Sequence, residues 1–233
     1  MNDDYKDALE IVVAELKSMP EVTCILFFGS VQQGDSTPSS DIDLFAIVEG
    51  NESWNYRRIV KGIEVEVYFL PEQLCRTSLE NRNSIFVKAF STGTALLDWN
   101  GKICELSALA KQLYDAGPVP PDSLKQNNWR IRLSDLIRDL EGSPPDSPES
   151  RMLASSLVSL SLEAYCYFQG LWSEKQSRLI KHISIHNPDL GQEVIRFYTT
   201  PAPHPNQAIS IADYVLEPVG GRLLEYDGPR VSI

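Results

Sequence analysis

The chain has 233 residues, room for one large or two smaller domains, and its hydrophobic fraction of 42% and charged fraction of 23% are those of an ordinary folded protein. Its 21 basic and 32 acidic residues leave a net charge of −11 with no clustered basic stretch. That argues against a grip on a nucleic-acid backbone and fits a cationic or neutral small substrate. No apolar run approaches the ~20 residues that cross a bilayer. The acidic start Met1-Asn2-Asp3-Asp4 lacks a secretion pattern, and Cys24, Cys75, Cys104 and Cys166 form neither a C-x-x-C pair nor a disulfide framework. A soluble cytoplasmic protein without a membrane partner is the expectation.

In chain order, Asp3 or Asp4 caps a first helix, in which Tyr5, Leu9, Val12, Val13 and Leu16 recur at helical spacing before Pro20. The β-branched and aromatic run 22–28 predicts a buried strand, stopped by Gly29-Ser30. Residues 34–40, rich in Gly, Asp, Ser, Thr and Pro, predict a loop. Asp41-Ile42-Asp43 leads into a second buried strand over 44–48. Residues 56–60 and 63–70 form a hairpin turning at Lys61-Gly62. Pro71 suits the first position of a helix. A short helix over 84–90, a strand over 94–97 and a helix over 105–114 follow.

Gly117-Pro118-Val119-Pro120-Pro121 is the clearest break in the chain. Beyond it the sequence reads helical: from Asp122 or Ser123 to about 141, then 149–168, 174–184, 188–199 and 207–216, with Gly220-Gly221 as a turn. The expected fold is α+β: a mixed β-sheet domain with flanking helices over 1–117, then a helical bundle domain over 122–233.

Side chains alternate between the faces of a strand, so Asp41 and Asp43 point one way and Ile42 the other. Two neighbouring carboxylates at a strand end are stable mainly with a cation between them. Over 63–69, Glu64 and Glu66 share one face, with Ile63, Val65, Val67 and Phe69 on the other. If this strand lies beside the Asp41 strand, one of these acids joins the first two. Three carboxylates can then hold two magnesium ions roughly 3.5–4 Å apart, the arrangement used for in-line phosphoryl and nucleotidyl transfer. Gly29 allows close backbone approach to a ligand, and Ser30 with nearby N–H groups can cradle phosphate. An isolated Asp-x-Asp is usually a solvated loop; it is the order of the pieces along the chain that carries weight.

Phe28-Gly29-Ser30, Ser40-Asp41-Ile42-Asp43-Leu44 and Val65-Glu66-Val67 resemble the signature of the polymerase-beta-like nucleotidyltransferases. Val65-Glu66-Val67-Tyr68-Phe69 followed by Glu72-Gln73-Leu74 is similar to the kanamycin and related antibiotic nucleotidyltransferases. The resemblance implies Asp41, Asp43 and Glu66 as catalytic metal ligands, with Glu66 favoured over Glu64, and two Mg2+ ions. It implies ATP or another nucleoside triphosphate as co-substrate, contacted by Gly29, Ser30 and Ser40. It also implies a helical second half that closes over a small acceptor such as an aminoglycoside, hence antibiotic resistance, and it admits a homodimer. Where many relatives place an arginine after Gly-Ser, this chain has Gln33, which can donate a hydrogen bond but brings no charge. Lys88, Lys125, Arg130 and Arg132 are the basic candidates to replace it, and Asp135, Asp139 and Glu163 are candidate bases, each more readily read as a solvated helix charge. His182, His186 and His204 show no motif spacing, and Trp129, Tyr165, Tyr167 and Trp172 suit either a stacking role or the core. Transfer to a protein or tRNA, and nucleotide sensing without catalysis, are the competing functions.

Overall fold

The computed structural model describes residues 3–37, 40–201 and 205–228, and the chain divides into two compact units, Met1–Pro118 and Val119–Ile233. Pro38 and Ser39 of the expected loop, and His204, lie outside the described residues.

The first unit contains helix α1 (Asp3–Lys17), strand β1 (Val22–Phe28), short helix α2 (Gly29–Gln33), strands β2 (Ile42–Val48), β3 (Trp54–Val60) and β4 (Ile63–Pro71), helices α3 (Glu72–Glu80) and α4 (Ser84–Thr92), strand β5 (Thr94–Asp98) and helix α5 (Lys102–Ala116). The five strands form one sheet in the order β3-β4-β2-β1-β5. The β2–β4 pair is parallel and the other three are antiparallel, so the sheet is mixed. Lys61 and Gly62 both take positive φ, as a two-residue hairpin turn between twisted strands requires.

Alternation along the strands sorts the two faces. Tyr5, Ala8, Leu9, Val12 and Leu16 of α1 pack against Ile25, Phe27, Ile42, Leu44, Ala46, Val65, Val67 and Phe69. Phe45, on the opposite face, is covered by rings from α4, with Phe86 and Phe90 at centroid distances of 5.2 and 5.9 Å. Asp41, Asp43 and Glu66 share that face by alternation and stand at its end.

One element was not foreseen and one expectation is corrected. Gly29–Gln33 is a short helix closed by Gly34 in a left-handed conformation, ahead of the loop expected from residue 34; five residues are too few to show helical periodicity. Pro71 ends β4 opposite Val48 and precedes α3 instead of opening it, because β2 offers a strand partner up to that point.

The second unit holds helices α6 (Ser123–Gly142), α7 (Pro148–Phe168), α8 (Gln176–His186), α9 (Pro188–Thr199) and α10 (Pro205–Leu216). Asp122 and Ser147 cap α6 and α7 by accepting from the backbone N–H of Lys125 and Ser150. Leu133, Ile137, Leu157, Val158, Ile183, Val194, Phe197 and Ala212 form its core, with Tyr165 among them. Trp172 is also buried. Gly220 and Gly221 make the expected turn at positive φ, and their carbonyls accept from Arg130. No helix among the described residues is long and apolar enough to cross a membrane.

Candidate active site

Parallel pairing sets Asp43 beside Glu66 and Ile42 beside Val65. Asp41, Asp43 and Glu66 can each offer a carboxylate oxygen such that all lie within 4.8 Å of one another. Asp43 and Glu66 are buried, while Ile42 between the aspartates is turned into the core. Such a set of hard oxygen donors suits a magnesium-type ion. Glu64 is drawn elsewhere: its Oε1 pairs with Arg57 Nε at 3.0 Å. Alternation places the two glutamates on one face without separating them; the register against β2 does.

Gly29 is tied to the same cluster. Its φ is +87°, and a Cβ built there would overlap Asp43 Oδ2 and come within 3.1 Å of its Cγ. The absent side chain makes room for an aspartate, a closer neighbour than the ligand approach expected from the sequence. Phe28, opposite Asp43 on the neighbouring strand, aligns the two.

The remaining sequence-derived residues gather around the β1–β2 connection. Gln33 donates from Nε2 to Thr92 Oγ1 on α4 at 3.1 Å, and Gln32 to Thr94 Oγ1 at 3.0 Å, so both amides tie α2 to its surroundings. Ser40 Oγ accepts from the Thr37 N–H at 2.8 Å, and the Ser40 carbonyl accepts from Tyr5 OH at 2.9 Å. The loop delivering Asp41 is thus clamped by its own turn and by α1.

Two neighbours of Glu66 escaped the sequence reading. Arg57 lies opposite it on β3 and donates from Nη2 to Glu66 Oε2 at 3.1 Å. The bond and charge of Glu66, then the charges of Glu64 and Asp41, hold this guanidinium still more firmly protonated. Tyr68 follows Glu66 by two residues, on the same face. Burial, then the hydrogen bond to Glu66 and the charges of Glu66 and Asp43, push its phenol up to about 12, so it keeps its proton at neutral pH. Both were findable: counting back equally from Lys61-Gly62 pairs Arg57 with Glu66, and period two places Tyr68.

The basic candidates Lys125, Arg130 and Arg132 have partners inside the helical unit: Asp122 at 3.6 Å, the Gly220 and Gly221 carbonyls, and the Trp129 ring at 5.7 Å. Lys88 is half-buried on α4, the helix whose Thr92 receives Gln33. Asp135, Asp139 and Glu163 are exposed on the helical unit. His182 and His186 contact each other edge to face at 4.7 Å.

Residues 10–100 match the family model described as polymerase beta, nucleotidyltransferase, which places this region in the polymerase-beta-like nucleotidyltransferase superfamily. No curated protein sequence matches the chain. Among solved structures, a nucleotidyltransferase-like protein from Exiguobacterium sibiricum 255-15 is similar over 92% of this chain and 75% of its own, with a TM-score of 0.50 and 16% identity. At that identity the likeness concerns the fold.

Proposed function

We propose that the chain is a magnesium-dependent nucleotidyltransferase that moves a nucleoside monophosphate, in the first instance AMP from ATP, onto a hydroxyl of a small molecule. The convergence of Asp41, Asp43 and Glu66 in a polymerase-beta-type region carries this reading. Asp41, Asp43 and Glu66 are the residues that would hold the metal. Bound magnesium would supply Lewis acidity to the attacking hydroxyl and offset charge on the leaving pyrophosphate. Gly29 leaves room for Asp43, Ser30 offers its hydroxyl to the triphosphate, and Gln33 donates from its amide. Ser40 keeps the loop set so that Asp41 meets its partners. The helical unit, 122–233, is assigned to the acceptor.

An aminoglycoside-type antibiotic is the first acceptor to test, since the net charge of −11 favours a polycation. The acidic balance also disfavours tRNA. Incubation with magnesium, α-labelled nucleotides and a panel of aminoglycosides and lincosamides tests the proposal. Label on a drug supports it, and label on a protein or RNA band moves the acceptor to a macromolecule. If nothing is labelled and Asp41→Asn leaves nucleotide binding unchanged, the metal-site assignment fails. Nucleotide sensing without transfer is the second reading, favoured by the uncharged Gln33; magnesium-dependent binding without label in any fraction would select it.

A further inference from the structure

Arg57 spans one acid of the site, Glu66, and its strand neighbour Glu64 outside it. Its Nε donates to Glu64 at 3.0 Å and its Nη2 to Glu66 Oε2 at 3.1 Å. Its side chain is 58% exposed, while that of Glu66 is 11% exposed. A cation held in solvent therefore neutralises a buried carboxylate that stands close to two more. Carboxylates removed from water require such compensation.

We infer that Arg57 is an exchangeable counter-ion: it holds Glu66 while the site is free of metal and releases it when a divalent cation binds. The inference rests on the metal reading of the Asp41, Asp43 and Glu66 group given above. The geometry favours exchange over a fixed bridge. Arg57 and an ion coordinated by Glu66 would compete for the same carboxylate and repel each other. The guanidinium can withdraw into solvent, where its exposed position makes the move inexpensive. Glu64 keeps a hold on Nε, so letting go of Glu66 does not cast the side chain loose. Helix α2 brings no charge, and the basic group seen paired with Glu66 is Arg57. Whatever Arg57 contributes to the metal-free protein is subtracted from metal affinity, by linkage. Arg57 is thus a residue that sets the metal affinity of the site, and a purely structural bridge would carry the opposite sign.

Manganese titration of the full chain, read by the electron paramagnetic resonance signal of the free ion, distinguishes the two. Relative to wild type, R57Q should bind Mn2+ roughly 3- to 10-fold more tightly, the effect of removing one unit charge at short range in partly solvated surroundings. Its metal-free melting temperature should fall, and the deficit should close at saturating Mg2+. R57K keeps the charge but loses the fork that spans two carboxylates, so its affinity should lie between the two. A folded R57Q that binds Mn2+ equally or less tightly overturns the inference. If R57Q does not fold, an R57K that binds no more tightly than wild type overturns it. Wild-type protein that takes up no Mn2+, matching D43N, instead defeats the metal reading itself and the inference with it.

Discussion

In the helical unit, Arg222 reaches Asp213 through Nε and Nη2 and Glu141 through Nη1, each at 2.8 Å. In the sheet unit, three acids converge at strand ends, and Arg57 is divided between one of them and Glu64. Both arrangements join one arginine to two carboxylates, but their settings differ. Asp213 and Glu141 are partly exposed and their demand is met, so the cluster fastens the segment after Gly221 to the helices. Glu66 is buried beside two further acids, an excess of negative charge that folding alone does not reward. A structural cluster balances its charges; a cluster left acidic at the end of a buried strand invites a cation.

The largest effect that would sharpen this contrast lies in the helical core. Ile183→Ala, at a fully buried position, should cost about 2–5 kcal/mol in denaturant unfolding of the helical unit while leaving Mn2+ affinity unchanged. A parallel loss of metal binding would break the division of labour between the units. Gly29→Ala should cost about 2 kcal/mol through its positive φ alone, with the overlap on Asp43 added. Unlike the core change, it should also weaken Mn2+ binding; a melt lowered without that loss would separate Gly29 from the acid cluster. Arg222→Ala should destabilise by about 1 kcal/mol, because its pairs are partly exposed, and should leave metal affinity untouched.

The smallest effect concerns pH. The hydrogen bond from Lys102, followed by that from Arg76, lowers the Glu72 carboxyl from its ordinary 4.5 despite some desolvation. A depressed folded value means stability that is present above the unfolded value and is lost as pH falls through the folded one. Glu72→Gln should therefore flatten the stability profile below about pH 4.5, by under ~1 kcal/mol at this partly exposed site, with little change at pH 7. Melts across pH 3–7 would show it.

Much of the sheet unit was legible because its information is contiguous. The run Val22–Phe28 is apolar throughout and becomes a central strand, and Lys61-Gly62 fixes both a turn and a register. The choice between Glu64 and Glu66 was not legible from alternation, since it depends on how β4 slides against a strand some twenty residues earlier. Arg57 could have been paired with Glu66 by counting from the turn, but it is one of two adjacent arginines on an edge strand, and nothing local distinguishes it from Arg58. The short helix after Phe28 left no periodicity. In the helical unit, Asp122 announced the start of α6, while the cap at Ser147 was not read from the sequence, and nothing in spacing foretold the partners of Arg130 and Arg222.

Calorimetric titration of wild type and Asp43→Asn with a non-hydrolysable ATP analogue, with and without magnesium, addresses the central claim most directly. Wild type should bind the nucleotide in a magnesium-dependent way. Asp43→Asn should lose that dependence while melting no lower than wild type without metal, since it relieves repulsion among the three acids. Equal magnesium-dependent binding by both proteins would contradict the assignment of Asp41, Asp43 and Glu66 as the metal site.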